Sequence, residues 1–231
     1  MSLPKPILPI FNLVVPSTGK RVNYRQFTVR EEKMLVQAQE SDDIHTIATA
    51  VKEIIRACVE GVDVDSLALF DVEYIVTKIR AKSVGEKIDL RLPCEADPTH
   101  EKIPVRINLN ELEVKFPAEH NKKIELWENT GVVMRYPTLD DLKEYETADG
   151  VDAIIMCIDY IYTAEEVMYA KDHTKEEMVD WLESLTDEHT DKIDNTFLKT
   201  MPVLKYDLQY TCPACGHVHQ KYIKGLSSFF A

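Results

Sequence analysis

The chain contains 231 residues, of which 45% are apolar and 29% are charged, a balance that is typical of a globular protein and excludes wholesale disorder or a fibrous repeat. Its formal charge of −13 argues against a general nucleic-acid-binding surface, because such surfaces depend on clustered cationic side chains. The negative charge is concentrated in residues 140–194, which hold 18 acidic and 4 basic residues, whereas residues 1–60 and 195–231 are close to neutral.

The N-terminal stretch predicts no signal peptide, because Pro4, Pro6 and Pro9 interrupt its apolar residues. No apolar run reaches the roughly 20 residues that a membrane-spanning helix needs, so we expect no membrane span. The number of cysteines is odd, and Cys58 and Cys157 fall in apolar helical patterns, which is typical of free thiols in a reducing cytoplasm.

Residues 1–86 are predicted to form an extended arm followed by a helical region. Short alternating stretches on either side of the turn signal Pro16–Lys20 indicate a β-hairpin. Thr28 and Glu31 have the spacing of a capping box, which predicts a helix that runs to about Glu40.

Two more helices are expected in the same region. Asp42 or Asp43 is a suitable N-cap for the second, whose apolar residues recur every three to four positions between residues 44 and 58. The third is predicted to begin at Asp71 and to end before Gly85.

Residues 87–137 predict an antiparallel β insertion, because apolar and polar side chains alternate there. The alternating segments are 87–92, 103–109, 112–116, 124–127 and 132–136. Four or five strands at this spacing predict one antiparallel sheet or a small sandwich.

Residues 138–202 are predicted to form an acidic helical region, with helices beginning near Thr138, over 151–162, from Thr174 and over 186–201. The region contains adjacent carboxylates, which we interpret as part of a solvated helical face rather than as an acid–base pair. These pairs are Asp140–Asp141, Glu165–Glu166 and Glu176–Glu177.

Residues 203–231 predict a C-terminal hairpin and tail. The hairpin strands, 203–210 and 218–223, flank the sequence Cys-Pro-Ala-Cys-Gly at 212–216, which has the form of a zinc knuckle. Taken together, the patterns predict an α+β fold with an N-terminal arm and helices, a central antiparallel sheet, an acidic helical region and a C-terminal β-hairpin that carries the CxxC knuckle.

The knuckle by itself provides half of a structural zinc site, because such a site has four ligands. The histidines nearest to Cys212 and Cys215 are His217 and His219, which share one face of the predicted strand and are the first candidates for the remaining ligands. More remote candidates are Cys94, His100, His120, His173 and His189.

The sequence leaves the use of this knuckle open. A turn of the same shape with free thiols and no metal is the alternative to structural zinc, and the sequence favours it slightly. A redox pair is disfavoured because no βαβ context surrounds the motif. A catalytic zinc is disfavoured because the chain has no HExxH motif and no histidine triad.

Two further features are candidates for partner binding. Phe229 and Phe230 form an aromatic pair near the C-terminus that either folds back onto the core or inserts into another protein. Arg25 and Arg30 belong to a small basic cluster with Lys20–Arg21 that would suit an acidic partner, although a solvated turn is the default interpretation. The chain has no P-loop, dinucleotide-binding or GxSxG motif, and we predict that it is not an enzyme.

Four motifs, taken in order, resemble the baseplate hub protein family of T-even-type contractile-tailed bacteriophages. They are Leu13–Lys20, Tyr24–Lys33, Phe70–Glu86 and the C-terminal pair formed by Cys212–Gly216 and Ile223–Phe230. The resemblance covers residues 7–93 and 203–231, whereas the residues between them are similar only in layout.

The resemblance implies a non-enzymatic role in virion assembly, as a component of the baseplate hub or as a hub-assembly factor that acts through protein–protein contacts. It implies other hub proteins as partners, and a location in the host cytoplasm during assembly or in the tail baseplate; a homo-oligomer is a further expectation. The family's cysteine pair maps onto Cys212 and Cys215, and the family supplies no catalytic residue. The alternative function is a zinc ribbon-type redox or nucleic-acid-binding protein centred on the same two cysteines.

Overall fold

The computed structural model describes residues 3–4, 6–41, 43–148 and 150–223, and it confirms the predicted α+β class. Its helices are α1 Val29–Glu40, α2 Ile44–Cys58, α3 Leu69–Ser83, α4 Leu142–Thr147, α5 Gly150–Met156, α6 Lys175–Glu183 and α7 Asp187–Ile193. Its strands are β1 Ile10–Val14, β2 Arg21–Arg25, β3 Val59–Glu60, β4 Lys87–Leu92, β5 Ile103–Asn108, β6 Glu113–Lys115, β7 Lys123–Trp127, β8 Thr130–Met134, β9 Ile158–Tyr162, β10 Val167–Tyr169, β11 Val203–Thr211 and β12 Val218–Ile223.

The described residues form two compact units. Unit 1 comprises residues from 1–64, 70–115 and 203–231, and unit 2 comprises residues from 65–69 and 116–202. In the described part of the chain, no helix is both long and apolar enough to cross a membrane.

The N-terminal elements of unit 1 follow the local signals of the sequence. The hairpin β1–β2 is present and β3 extends it to a three-stranded antiparallel sheet. The predicted capping box begins α1: the Glu31 carboxylate accepts hydrogen bonds from the backbone and the hydroxyl group of Thr28, and it pairs with Arg25 at 3.1 Å. The Asp43 carboxylate accepts from the Thr46 amide and caps α2.

The five strands predicted over residues 87–137 are all present, but they are divided among three sheets instead of forming one. β4 pairs only with β5 among the described strands, β6 pairs with β11, and β7 and β8 belong to a sheet with the order β10-β9-β8-β7. All these pairs are antiparallel. Alternation specifies which face of a strand is buried, but it does not specify the partner strand, so the sequence pattern predicted one sheet or a small sandwich instead of the three sheets observed.

The prediction of a helix over residues 151–162 is wrong for the second half of that segment. α5 ends at Met156, and residues Ile158–Tyr162 form β9, which pairs with β8 and β10. Glu165 and Glu166, which were expected on a helix, lie in the turn that joins β9 to β10. The segment Ile-Asp-Tyr-Ile-Tyr is short, β-branched and aromatic, and this composition favours a strand once partner strands are available on both sides.

The core of unit 2 lies between its sheet and its helices, where Val132, Met134, Ile193 and Phe197 are fully buried. Within this sheet the backbone of β8 passes so close to β7 that only glycine fits at position 131. A Cβ atom at Gly131 would lie 2.1 Å from the Ile124 carbonyl oxygen and 2.6 Å from the Tyr162 hydroxyl oxygen.

Candidate functional site

The predicted knuckle is formed by the turn between β11 and β12 in unit 1. The Cys212 amide donates to the His217 carbonyl and the Gly216 amide donates to the Cys212 carbonyl, each at 2.9 Å. Gly216 has a φ of 72°, a left-handed conformation that glycine adopts without strain. The backbone N–H groups of Cys215 and Ala214 donate to the Cys212 sulfur and lower the pKa of this thiol to about 6, which favours the thiolate.

A second loop of unit 1, between β4 and β5, carries Cys94 and His100. Asp97 organises this loop, because its Oδ1 atom accepts from the amide and hydroxyl group of Thr99 at 2.9 and 2.7 Å. Its Oδ2 atom lies 3.5 Å from Nε2 of His100. The pKa of His100 is raised, first by its hydrogen bond with Cys94 and further by Cys212 and Asp97, which together outweigh desolvation.

The loop and the knuckle meet, and they bring Cys94, His100, Cys212 and Cys215 into one cluster. The candidate ligand atoms of these four residues all lie within 4.8 Å of one another. Sγ of Cys94 is 3.8 Å from Sγ of Cys215, and Sγ of Cys212 is 3.6 Å from Nδ1 of His100. Cys94 and Cys212 are 2% and 1% exposed, His100 is half-buried and Cys215 is exposed.

Hydrophobic packing and a hydrogen bond hold the two hairpins together beneath this cluster. Cys94 and Cys212 belong to a buried apolar group that also contains Ile103, Leu208 and Tyr210. The Tyr210 hydroxyl group donates to the backbone carbonyl of the residue before Cys94 at 3.1 Å. The positions of Cys94 and Cys212 are therefore fixed by the core of unit 1 and not only by the surface loops.

The histidines chosen from the sequence lie beside this cluster but are not members of it. His217 is exposed on the turn. The His219 ring is 1% exposed and stacks on Tyr210 with the ring centres 4.7 Å apart. Neither ring nitrogen of His219 has a hydrogen-bond partner among the described residues, and its Nδ1 atom lies 4.0 Å from the Glu95 carboxylate.

From the sequence alone, Cys94 and His100 are only remote candidates for ligands. The signal that marks them is the pairing of a cysteine and a histidine within one loop that joins two short alternating strands. Because more than a hundred residues separate this loop from the knuckle, only the tertiary structure shows that they meet. The other remote candidates, His120, His173 and His189, all belong to unit 2.

The candidate partner-binding residues lie in different environments. Arg25 is half-buried and is held by Glu31 and by the Gln26 carbonyl, so it supports the start of α1. Arg30 is exposed on the first turn of the same helix. Phe229 and Phe230 lie outside the described residues.

Unit 2 contains a groove of about 450 Å³ between α5, α6 and α7, which we call the acidic groove. Its apolar lining comes from Val151, Ile154, Leu182 and Leu185. All of its charged lining residues are acidic, namely Glu183, Asp187, Asp191 and Asp194. The first three are exposed, whereas Asp194 is paired with Lys199 at 2.6 Å.

The fold and these two features define a small α+β protein that offers a thiol–histidine cluster on one unit and an acidic groove on the other. The chain belongs to the family described as T4 bacteriophage base plate protein, whose model matches residues 8–231. It is 26% identical over 218 residues to the baseplate hub assembly protein gp26 of Enterobacteria phage T4, in an alignment that covers 92% of this chain and 93% of that protein. No solved structure matches the chain. The resemblance that the four motifs indicated is confirmed, and the chain has a role in the phage baseplate.

Proposed function

We propose that this protein helps to build the central hub of the tail baseplate by binding other hub proteins, and that it does so without catalysis. The observation that carries the proposal is the alignment with the phage T4 hub assembly protein, which extends over nearly the full length of both chains. In this proposal the protein acts in the cytoplasm of the infected host cell, where tails are assembled. The redox and nucleic-acid-binding alternatives have no comparable support from the comparisons.

The acidic groove supports a contact-based mechanism and indicates the chemistry of the partner. Its floor is apolar, and its rim carries Glu183, Asp187 and Asp191 as exposed carboxylates. An amphipathic segment of another hub protein, with Lys or Arg beside apolar residues, would place its apolar side chains on the floor and its cations against the rim. Opposite charges at such a surface mainly accelerate and orient association, so the contact is expected to weaken as salt increases.

Co-purification tests both the role and the location of the contact. Tagged protein is recovered from cells infected by its phage, at low and high salt, and the bound baseplate proteins are identified by mass spectrometry. The groove variant combines Glu183→Gln, Asp187→Asn and Asp191→Asn. We expect it to recover less of the baseplate partner, with an association rate that is lower by about tenfold or more at low ionic strength.

A matched control removes the same charge elsewhere on unit 2. It combines Glu165→Gln, Glu166→Gln and Asp172→Asn, which are all exposed, and it should recover the partner as the unmodified protein does. Equal recovery by the groove and control variants would contradict the groove as the contact. If the unmodified protein recovers no baseplate protein at either salt concentration, the proposal of a contact-based role is wrong.

A further inference from the structure

We propose that Cys94, His100, Cys212 and Cys215 bind one zinc ion, and that this ion joins the β4–β5 hairpin to the β11–β12 hairpin of unit 1. This inference is independent of the baseplate role, because it depends only on side chains within unit 1. It completes the half-site indicated by the knuckle with a second pair of ligands from the loop between β4 and β5.

Two of the distances within the cluster match those of a tetrahedral zinc site, and all of the candidate ligand atoms lie within 4.8 Å of one another. With Zn–S bonds of about 2.3 Å and Zn–N bonds of about 2.0 Å, two ligands on a tetrahedron lie ~3.8 Å apart when both are sulfur and ~3.5 Å apart when one is nitrogen. The Cys94–Cys215 sulfur pair lies at 3.8 Å, and the Cys212 sulfur lies 3.6 Å from the His100 nitrogen. A disulfide would require the sulfur atoms to approach to about 2.05 Å, so the Cys94–Cys215 distance does not fit a disulfide bond.

The surroundings of the cluster are those that metal ligands require. Nδ1 of His100 faces the sulfur of Cys212, while Nε2 faces the Asp97 carboxylate at 3.5 Å, an arrangement that selects the tautomer with a free Nδ1 lone pair. Backbone amides of the knuckle also point at the Cys212 sulfur. The two loops therefore place a histidine nitrogen and a cysteine sulfur side by side before any ion binds.

The ligand set also indicates which ion binds and what it does. Three thiolates and one imidazole suit zinc and disfavour magnesium or calcium, which prefer oxygen ligands. Four protein ligands leave no open position for water or substrate, which is the arrangement of structural sites and not of catalytic ones. Because Cys94 and Cys212 are buried, the ion would be largely enclosed and would stabilise the contact between the two hairpins.

Metal analysis of the full chain, purified without chelators from zinc-supplemented cells, tests the proposal. We expect one zinc ion per chain by mass spectrometric elemental analysis, and loss of that zinc in Cys94→Ala and His100→Phe. The matched controls are His217→Asn and His219→Phe, which change the neighbouring histidines and should keep one zinc ion. A chain without zinc, a chain that holds iron instead, or zinc lost only from the His217 and His219 variants would each overturn the proposed site.

A second measurement keeps the test valid if a ligand variant fails to fold. Asp97→Asn leaves all four ligands in place but weakens the partner of His100, and it should lower zinc affinity by about 10- to 100-fold in competition with a chromophoric chelator. Glu95→Gln removes the same charge from the same loop and should leave the affinity unchanged. Equal affinities in these two variants would contradict the role of Asp97.

A further experiment adds cobalt to the zinc-free protein, which should give the visible absorption of a tetrahedral thiolate site. If this absorption is absent, the proposed geometry of the site is wrong.

Discussion

Replacing Gly131 by alanine should destabilise unit 2 strongly, because the backbone at Gly131 is in direct contact with the backbone of β7. The added methyl group would lie 2.1 Å from the Ile124 carbonyl oxygen, 2.6 Å from the Tyr162 hydroxyl oxygen and 2.8 Å from the Cα atom of Glu125. Relief of the first contact requires a shift of about 1 Å between paired strands, and overpacking of this kind costs about 1–3 kcal/mol. Since the opposing atom is backbone and not a flexible side chain, we expect the upper end of this range, ~3 kcal/mol.

Tryptophan fluorescence during urea unfolding measures this effect, because both tryptophans of the chain, Trp127 and Trp181, lie in unit 2. With a urea m-value of about 2 kcal/mol per molar, the expected loss lowers the unfolding midpoint by ~1.5 M. Gly150→Ala is the matched control, since a Cβ atom there meets nothing within 4 Å, at the first residue of α5. Its effect should lie between zero and about 1 kcal/mol of stabilisation. If Gly131→Ala unfolds at the same midpoint as the unmodified protein, the close approach of β8 to β7 is wrong.

Two further predictions concern ionisable groups in the core and at a helix start. Burial opposes ionisation of Glu31, but hydrogen bonds from Thr28 and Arg25 outweigh it and lower the pKa to about 2; Glu31→Gln should therefore cost about 1–2 kcal/mol at neutral pH. Because the folded-state pKa is lowered, the ionised Glu31 stabilises the protein above the ordinary pKa of 4.5, and this stability is lost as the pH falls toward 2. Thermal unfolding followed by circular dichroism should therefore show the unmodified protein and Glu31→Gln converge in stability between these pH values. A stability difference that stays constant over this interval would contradict the lowered pKa of Glu31. Burial raises the pKa of Cys58 to about 11 and of Cys157 to about 12. This lowers the thiolate fraction of both residues at pH 8 by about 100-fold or more, so Ellman's reagent should label them only in denaturant. Rapid labelling of either thiol in the native protein would show that it is not buried.

The features that the sequence predicts correctly are those that depend on neighbouring residues. The capping boxes at Thr28 and Thr174 consist of a hydroxyl group and a carboxylate three residues apart, and both form. The apolar period of α2 and the C-terminal hairpin are likewise local patterns. In each case the interaction that stabilises the element lies within the segment that predicts it.

The features that the sequence does not predict depend on partners that are distant in the chain. The alternating pattern of β6 does not indicate that it pairs with β11 and not with a strand nearer in the chain. Similarly, residues 158–162 are compatible with a helix, and only their pairing with β8 and β10 makes them a strand. The same limit applies to the knuckle, because His217 and His219 adjoin it in the chain whereas Cys94 and His100 lie more than a hundred residues away. The secondary structure of a short apolar run and the remaining ligands of an incomplete metal site are therefore determined only by the tertiary structure.

The pairing of β6 with β11 has a consequence for the order in which the chain folds as it is made. Lys115 is paired with Val203, so residues 116–202 leave a sheet of unit 1 and return to it at the same point. These residues emerge from the ribosome before β11 does, so unit 2 can fold while unit 1 still lacks two of its strands. The N-terminal half of unit 1 must therefore wait for β11, and Cys94 and His100 can meet Cys212 and Cys215 only after residues 116–202 have been made. A chain that stops after residue 202 would contain every residue of unit 2 but would leave unit 1 without β11, β12 and the knuckle.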